Sequence, residues 1–249
     1  MKRSLCLLTN DDGPGELLEA ARTVGLELFS RVATIVPSRN QSAVAAAVTL
    51  GRSVGFWRAA EDHWFTDGYP ADGVRYAIRH LHLPKPNLVL SGVNNGWNLG
   101  RCVINSGTVG AGLEGTRGGV SAVCLSAERG TSVSPEWLEV VTKIVDQCIT
   151  IIEGDYRELI VLSVNLPCRF HDDRAVFLPV STVEYDEHYY EVDGQPNQRL
   201  VSGSELVVDP LIPDVDLLLA GRAVVNLIPT PWTIPAPELT AGLVSQFPA

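Results

Sequence analysis

The stretch SLCLLTNDDGPGELLEAARTVGLELFSRVATIVP (Ser4–Pro37) has the pattern of a strand, a helix and a second strand. Ser4–Thr9 is a short apolar run that predicts a buried strand, and Glu16–Phe29 has apolar residues at helical spacing. Val32–Val36 is a β-branched run that stops at Pro37, which predicts the second strand. A strand that is followed by a helix and another strand is the unit from which parallel sheets are built.

The same alternation continues over the first two thirds of the chain. The pattern predicts further helices over Asp72–Leu81, Thr108–Arg117 and Glu136–Ile152, and further strands over Leu88–Leu90, Val120–Ser126 and Leu159–Asn165. We therefore predict a three-layer α/β/α fold of the Rossmann-like type, in which helices cover both faces of a mostly parallel sheet.

Beyond Pro167 the composition of the sequence changes, and proline, aspartate and short β-rich runs become frequent. These runs predict hairpins and extended arms, and they are Ala175–Val180, Tyr189–Val192, Leu206–Val208 and Ala223–Ile228. We divide the chain into an α/β core, residues 1–180, which would carry the functional site, and a β-rich C-terminal extension, residues 181–249. The extension is expected to serve oligomerisation.

Composition excludes several classes of function. Hydrophobic residues make up 45% of the 249 residues and charged residues only 19%, which is typical of a compact globular protein. The formal net charge of −10 argues against binding to a nucleic-acid polymer, because proteins that bind the phosphate backbone need a basic face. No run approaches the roughly 18 consecutive apolar residues of a membrane helix, so no membrane partner is expected.

Two further features indicate a cytoplasmic protein. The apolar run near the N-terminus is interrupted at once by Asp11 and Asp12, whereas a signal peptide would continue it to a small-residue cleavage site. The five cysteines are widely spaced and include no CxxC pair. Reduced thiols are therefore expected, rather than a disulfide framework or a zinc site.

Polar loops follow three of the predicted strands, at the sheet edge where open α/β sheets bind ligands. Asp11 and Asp12 follow the first strand, Ser42 follows the second, and Asn94 follows Leu88–Leu90. Adjacent carboxylates repel each other unless a cation neutralises them, and Mg²⁺ or Mn²⁺ binds carboxylate, amide and hydroxyl oxygens. The alternative is that these are ordinary loop residues, with the Asp-Asp-Gly sequence forming a helix cap or an Asx turn.

A fourth loop, NSGTVGAG (Asn105–Gly112), leads into a predicted helix. Small residues and hydroxyls at a helix N-terminus can bind an anion, because free backbone N–H groups and the helix dipole face the ligand. The alternative is a capped helix whose small residues allow close packing. Together the four loops place ligands for a hard metal ion and an anion site at one edge, which indicates phosphate chemistry.

The ordered set of these blocks resembles the SurE family (survival protein E, 5′/3′-nucleotidase). The matching blocks are LLTNDDG (Leu7–Gly13), PSRNQS (Pro37–Ser42), GYPAD (Gly68–Asp72), SGVNNGWNLG (Ser91–Gly100) and SGTV (Ser106–Val109). The resemblance implies hydrolysis of phosphate monoesters with a divalent metal, Mg²⁺ or Mn²⁺, that is held by Asp11, Asp12, Ser42 and Asn94. It implies that the phosphate is bound by Asn98, Ser106, Gly107 and Thr108, and that the chain forms a homodimer or homotetramer through exchanged C-terminal arms.

The chain departs from the family pattern around the expected pocket. The loop Gly13–Gly15 is shortened, Asn105 stands where the family usually has Tyr, and Ala43 where it usually has Gly. Arg101 and Cys102 replace acidic residues that are common in the family. The metal-binding residues are intact while the pocket walls differ, so the resemblance supports the reaction class more strongly than any particular substrate.

We therefore hypothesise a divalent-metal-dependent phosphatase whose substrate is a small phosphate monoester, namely a nucleoside monophosphate or a related nucleotide-like metabolite. Asp11 and Asp12 would hold the ion and one of them would activate water, while Asn98 and the residues 106–108 would stabilise the transition state. Trp97 is placed to stack on a nucleobase. The alternatives are a metal- or nucleotide-binding module that has lost turnover, and a specialised phosphatase of a biosynthetic pathway.

Overall fold

The computed structural model describes residues 2–154, 158–180, 185–192, 199–206 and 213–230. The helices are α1 (Glu16–Leu28), α2 (Pro70–His80), α3 (Gly107–Arg117), α4 (Pro135–Ile152) and α5 (Pro213–Leu219), and a 3₁₀ helix covers Gly100–Asn105. The strands are β1 (Arg3–Thr9), β2 (Phe29–Pro37), β3 (Phe56–Ala60), β4 (His63–Thr66), β5 (Leu88–Asn95), β6 (Ala122–Ala127), β7 (Val161–Leu166), β8 (Ala175–Leu178), β9 (Tyr185–Val192), β10 (Arg199–Leu206) and β11 (Ala223–Ile228).

Nine of these strands form one sheet in the order β3-β4-β2-β1-β5-β6-β7-β11-β8. Neighbouring strands are parallel except for the pairs β3–β4 and β7–β11. In the central strands Leu7 of β1 lies opposite Ala33 of β2 and Val89 of β5, and all three side chains are buried. Apolar residues dominate the buried parts of these strands because both faces of the sheet are covered.

Helices cover both faces of the sheet. On one face α1 and α4 pack against the strands through residues such as Val24 and Ile144. On the other face α2 and α3 do so through residues such as Val74 and Val109. The predicted three-layer α/β/α fold with a mostly parallel sheet is therefore confirmed. In the part of the chain that the structure describes, no helix is both long and apolar enough to cross a membrane.

Several boundaries differ from the sequence prediction. Phe29 was predicted to end the first helix, but it adopts an extended conformation and begins β2. The strand predicted over Leu88–Leu90 continues to Asn95, because β5 resumes its pairing with β6 beyond an irregularity between Ser91 and Asn94. The antiparallel pair β3–β4 was not predicted, and it extends one edge of the sheet.

The predicted extension also differs in part from expectation. β11 lies within the main sheet, where it pairs antiparallel with β7 and parallel with β8. A segment that was expected to form an arm or hairpin is thus a strand of the core. The strands β9 and β10 pair with each other in a separate antiparallel sheet, and residues 231–249 lie outside the described part. The division at residue 180 and the oligomerisation role of the extension stay predictions.

Candidate active site

A cleft of about 530 Å³ lies among the loops that follow β1, β2, β5 and β6. It is lined by Asp11, Asp12, Ser42, Ala43, Asn94, Asn95, Gly96, Trp97, Asn98, Cys102, Asn105, Ser106, Glu128 and Arg129. All four residues expected to bind the metal therefore line a single cleft, together with Asn98 and Ser106. The other two expected phosphate-binding residues, Gly107 and Thr108, follow Ser106 in the first turn of α3.

The turn after β1 is formed by Asn10 and not by the aspartates. The Asn10 side chain donates a hydrogen bond from Nδ2 to the Gly13 carbonyl at 2.6 Å and accepts one from the Gly13 N–H at 3.1 Å. Gly13 has a φ of +83°, which favours glycine. The first residue of α1 is preceded by Gly15, with no side-chain cap. The Asp11 and Asp12 carboxylates are therefore used neither for the turn nor for capping α1.

Asp11 is a buried carboxylate, 3% exposed, that is fixed from two sides. The Thr108 hydroxyl donates to its Oδ1 at 2.7 Å, and its main-chain oxygen accepts from the N–H of Gln41 at 2.7 Å. Burial raises the pKa of Asp11 to about 6, an effect that the Thr108 hydrogen bond partly offsets and the neighbouring Asp12 charge increases. A bound cation would favour the ionised form that burial disfavours.

Asp12 is half-buried and joins the loops after β1, β2 and β5. Its Oδ1 accepts from Asn40 Nδ2 at 2.7 Å, and its Oδ2 accepts from the N–H of Asn95 at 3.1 Å. The Asn40 side-chain oxygen in turn accepts from the N–H of Ser42 at 2.9 Å. Through Asn40, the position of Ser42 at the cleft is thus coupled to the position of the Asp12 carboxylate.

Asn94 lies at the end of β5 and presents an oxygen atom. Its Nδ2 donates to the Gly96 carbonyl at 2.8 Å, while its Oδ1 accepts no hydrogen bond from the described residues. Within those residues no three or more His, Cys, Asp or Glu side chains lie close enough to hold a metal ion. A metal at this cleft would therefore need neutral oxygen ligands beside the two aspartates, as Ser42 and Asn94 could supply.

The N-terminus of α3 approaches Asp11 closely because residue 107 is glycine. A Cβ atom at Gly107 would lie 2.8 Å from both the Cβ and the Oδ2 of Asp11, and 3.0 Å from Cγ2 of Val44. Ser106 caps the helix by accepting from the N–H of Val109 at 3.2 Å. The first turn of α3 thus packs directly against the carboxylate, and the Thr108 hydroxyl donates to Asp11 rather than pointing freely into the cleft.

Asn98 is buried and is held by the two strands beyond β5. Its Nδ2 donates to the Ser126 hydroxyl of β6 at 2.7 Å. Its main chain is bound twice by Asn165 of β7, since the Asn98 N–H donates to Asn165 Oδ1 at 2.8 Å and the Asn98 carbonyl accepts from Asn165 Nδ2 at 3.1 Å. This geometry fixes Asn98 at the cleft independently of the Asp11 and Asp12 loops.

Sequence reasoning missed the residues that follow β6 and Asn95. Glu128 and Arg129 line the cleft, and Asn40 and Asn95 orient Asp12. The rule that ligands bind at the carboxyl ends of parallel strands would have found Glu128 and Arg129 had it been applied to β6. Trp97 lines the cleft as expected, with its indole N–H donating to the Leu166 carbonyl at 2.8 Å.

Comparison with known proteins shows the family of the chain. The family model described as Survival protein SurE matches residues 6–188. The chain belongs to the SurE family. The 5′-nucleotidase SurE of Azorhizobium caulinodans is 31% identical over 199 residues, which are 78% of this chain and 77% of that relative. The 5′-nucleotidase SurE of Prochlorococcus marinus is 31% identical over 224 residues, 84% of this chain and 83% of the relative.

A solved SurE structure supports the family assignment. The crystal structure of the SurE protein from Aquifex aeolicus matches with a TM-score of 0.77 and 29% sequence identity, covering 92% of this chain and 94% of that chain. The resemblance drawn from the sequence blocks is therefore confirmed, as is the α/β fold. The curated relatives carry the name of an enzyme that hydrolyses phosphoric monoesters.

Proposed function

We propose that this SurE-family chain is a divalent-metal-dependent phosphatase that hydrolyses a phosphate monoester, with a nucleoside monophosphate or a related nucleotide-like metabolite as its substrate. The observation that carries the proposal is the single cleft that gathers Asp11, Asp12, Ser42, Asn94 and Asn98 beside the N-terminus of α3. The names of the curated relatives support the same reaction class.

The residues present suit a hard divalent cation. Neither Asp11 nor Asp12 forms an ion pair with a Lys, Arg or His side chain in the described ranges, although Asp11 is buried. Two adjacent carboxylates without a compensating charge favour a cation between them. The nearby neutral oxygens are those of Ser42 and Asn94, and an all-oxygen set suits Mg²⁺ or Mn²⁺ rather than a softer metal.

Hydrolysis breaks the bond between phosphorus and the ester oxygen, and water supplies the oxygen that replaces it. A divalent ion, when bound, supplies charge neutralisation and a water of lowered pKa. One of the two aspartates, Asp11 or Asp12, would accept the proton of the attacking water, and the ester oxygen would take up a proton as it leaves as the alcohol. The positive end of the α3 dipole, with Ser106 as the N-cap, would bind the phosphate oxygens. Asn98 would orient the same phosphate group.

Assembly and location belong to the proposal as well. The resemblance implies a homodimer or homotetramer built through C-terminal arms, and residues 231–249 that would contribute to those arms lie outside the described residues. We propose that the protein forms this assembly and is located in the cytoplasm. The proposed ligand of the cleft is a small phosphorylated substrate. A nucleic-acid polymer is disfavoured because the net charge of −10 would repel its phosphate backbone.

Release of inorganic phosphate by the purified protein tests the proposal. We expect turnover of adenosine 5′-monophosphate and p-nitrophenyl phosphate with added Mn²⁺ or Mg²⁺, and loss of that turnover with excess chelator, because charge on the phosphoryl group would no longer be neutralised. Turnover that survives the chelator would contradict the metal requirement. A protein that binds nucleotide with metal but releases no phosphate from any monoester would instead be the binding module.

A panel of substrates distinguishes a nucleotidase from the remaining alternative, a specialised phosphatase of a biosynthetic pathway. A phosphatase of a biosynthetic pathway would hydrolyse one class of sugar phosphate or other phosphorylated metabolite far faster than nucleoside monophosphates. Comparable rates on several nucleoside monophosphates, and slow rates on the other phosphorylated metabolites, would favour the nucleotidase.

A further inference from the structure

The loop that follows β6, residues 128–131, is held rigidly at the rim of the cleft. The Glu128 carboxylate accepts from the N–H of Cys168 at 2.9 Å. The N–H of Gly130 donates to Asn95 Oδ1 at 3.0 Å. Since the N–H of Asn95 also donates to Asp12, the same asparagine links this loop to the metal-binding carboxylates.

Arg129 lies between these two anchor points, and it is exposed and lines the cleft. It is the one basic side chain among the cleft-lining residues that the structure describes. Its guanidinium has no hydrogen bond or ion pair with any described residue, although three carboxylates line the same cleft. Two of these carboxylates have other partners, since Glu128 accepts from a backbone N–H and Asp12 accepts from Asn40 and Asn95.

A guanidinium group in this position is suited to an anionic ligand. Its planar set of N–H donors binds phosphate or carboxylate groups in a bidentate manner, and its charge persists at any physiological pH. The proposed site for the reacting phosphate lies at Asp11, Asp12 and the N-terminus of α3, whereas Arg129 belongs to the β6 wall. Arg129 is thus available for a different anionic group of the same ligand.

We propose that Arg129 is a specificity-determining residue that binds a second anionic group, a phosphate or a carboxylate, on the alcohol part of the substrate. The inference rests on the proposed function, because it assumes that the reacting phosphate occupies the metal side of the cleft. Within the proposed substrate class, it favours nucleotide-like monoesters whose leaving alcohol carries its own negative charge over nucleoside monophosphates, whose leaving alcohol is neutral.

The test compares substrates in pairs that differ only in the second anion. Adenosine 3′,5′-bisphosphate is paired with adenosine 5′-monophosphate, and 3-phosphoglycerate with glycerol 3-phosphate, so that the two arms distinguish a phosphate from a carboxylate. The variant is Arg129→Gln. The matched control is Arg174→Gln, an exposed arginine that does not line the cleft.

We expect the wild type to have the higher kcat/KM for the member with two anionic groups in at least one pair. Arg129→Gln should lower kcat/KM for that member by about tenfold, mainly through KM, since one charge-assisted contact is lost. For the member with one anionic group, Arg129→Gln should change kcat/KM by less than about twofold. The control Arg174→Gln should change kcat/KM for neither member. Equal losses on both members would place Arg129 at the reacting phosphate and overturn the proposal, as would no loss on either.

Failure of the proposed function gives a different result. If the wild type hydrolyses no monoester with any divalent metal, the phosphatase proposal is wrong, and calorimetric binding then tests Arg129 by itself. The wild type should bind adenosine 3′,5′-bisphosphate about tenfold more tightly than the monophosphate, and Arg129→Gln should remove that difference. Equal affinities in the wild type would contradict the role of Arg129.

Discussion

Replacement of Asp12 by Asn is expected to lower kcat/KM for a phosphate monoester by at least about 100-fold, because even the loss of an outer-shell partner of a metal ligand typically costs 10–100-fold. The substitution removes the charge that would hold the ion. It also leaves an amide facing two donors, Asn40 Nδ2 and the N–H of Asn95. If the new amide nitrogen faces Asn40, the Asn40 amide must rotate and loses the hydrogen bond from Ser42, and if it faces Asn95, the hydrogen bond from that N–H is lost. The measurement is phosphate release with saturating Mn²⁺.

The control for Asp12→Asn is Asp216→Asn, which neutralises an exposed aspartate of α5 outside the cleft. It should retain wild-type activity. Thermal unfolding of Asp12→Asn is measured alongside, because the disturbed hydrogen bonds to Asn40 and Asn95 also lower stability, and activity is compared per folded protein. If Asp12→Asn retains activity within about threefold of the wild type, the assignment of Asp12 as a metal ligand is wrong.

Replacement of Gly107 by Ala is expected to lower kcat by about 100-fold, because a misplacement of reacting groups by about 1 Å can cost that much. The added methyl group would lie 2.8 Å from both the Cβ and the Oδ2 of Asp11. Asp11 has little freedom to yield, since Thr108 and Gln41 hold its side chain and main chain. The N-terminus of α3 must therefore move away from the carboxylate. Single-turnover rates with Mn²⁺ measure the effect.

Gly15→Ala is the matched control, because Gly15 has no atom within 4 Å of an added Cβ and an extended backbone that any residue adopts. Its activity should be unchanged. Overpacking at Gly107 also costs roughly 1–3 kcal/mol of stability, so Thr108→Val, which removes the hydroxyl that binds Asp11 without adding volume, provides a second probe. Full activity in both Gly107→Ala and Thr108→Val would show that the packing of α3 against Asp11 has no part in catalysis.

Much of the candidate site could be predicted from the sequence because the topology of a parallel sheet determines where loops meet. Asp11, Ser42 and Asn94 are far apart in the chain, but each lies at or beyond the carboxyl end of a strand, and these ends share one edge of the sheet. What the sequence left open was which side chain forms the turn after β1. Asn10 and Asp12 are both good turn residues, and only the backbone conformation shows that Asn10 has this role.

The remaining features depend on contacts between distant parts of the chain. A short apolar run such as Ala223–Ile228 has the same pattern in an arm as in a core strand, so its insertion between β7 and β8 could not be predicted from local periodicity. The two hydrogen bonds between Asn98 and Asn165 likewise join residues 67 positions apart. The absence of a hydrogen bond or ion pair between the Arg129 guanidinium and the described residues likewise depends on the folded arrangement and could not be predicted from the sequence.

The position of bound Mn²⁺ in crystals of the protein, located by its anomalous scattering, tests the central claim most directly. We predict one peak in the cleft, with oxygen ligands from the carboxylates of Asp11 and Asp12 and from Ser42 and Asn94. This result would place the ion beside the N-terminus of α3, where the phosphate is proposed to bind. A peak remote from both carboxylates, or no peak under conditions in which the protein releases phosphate, would contradict the account.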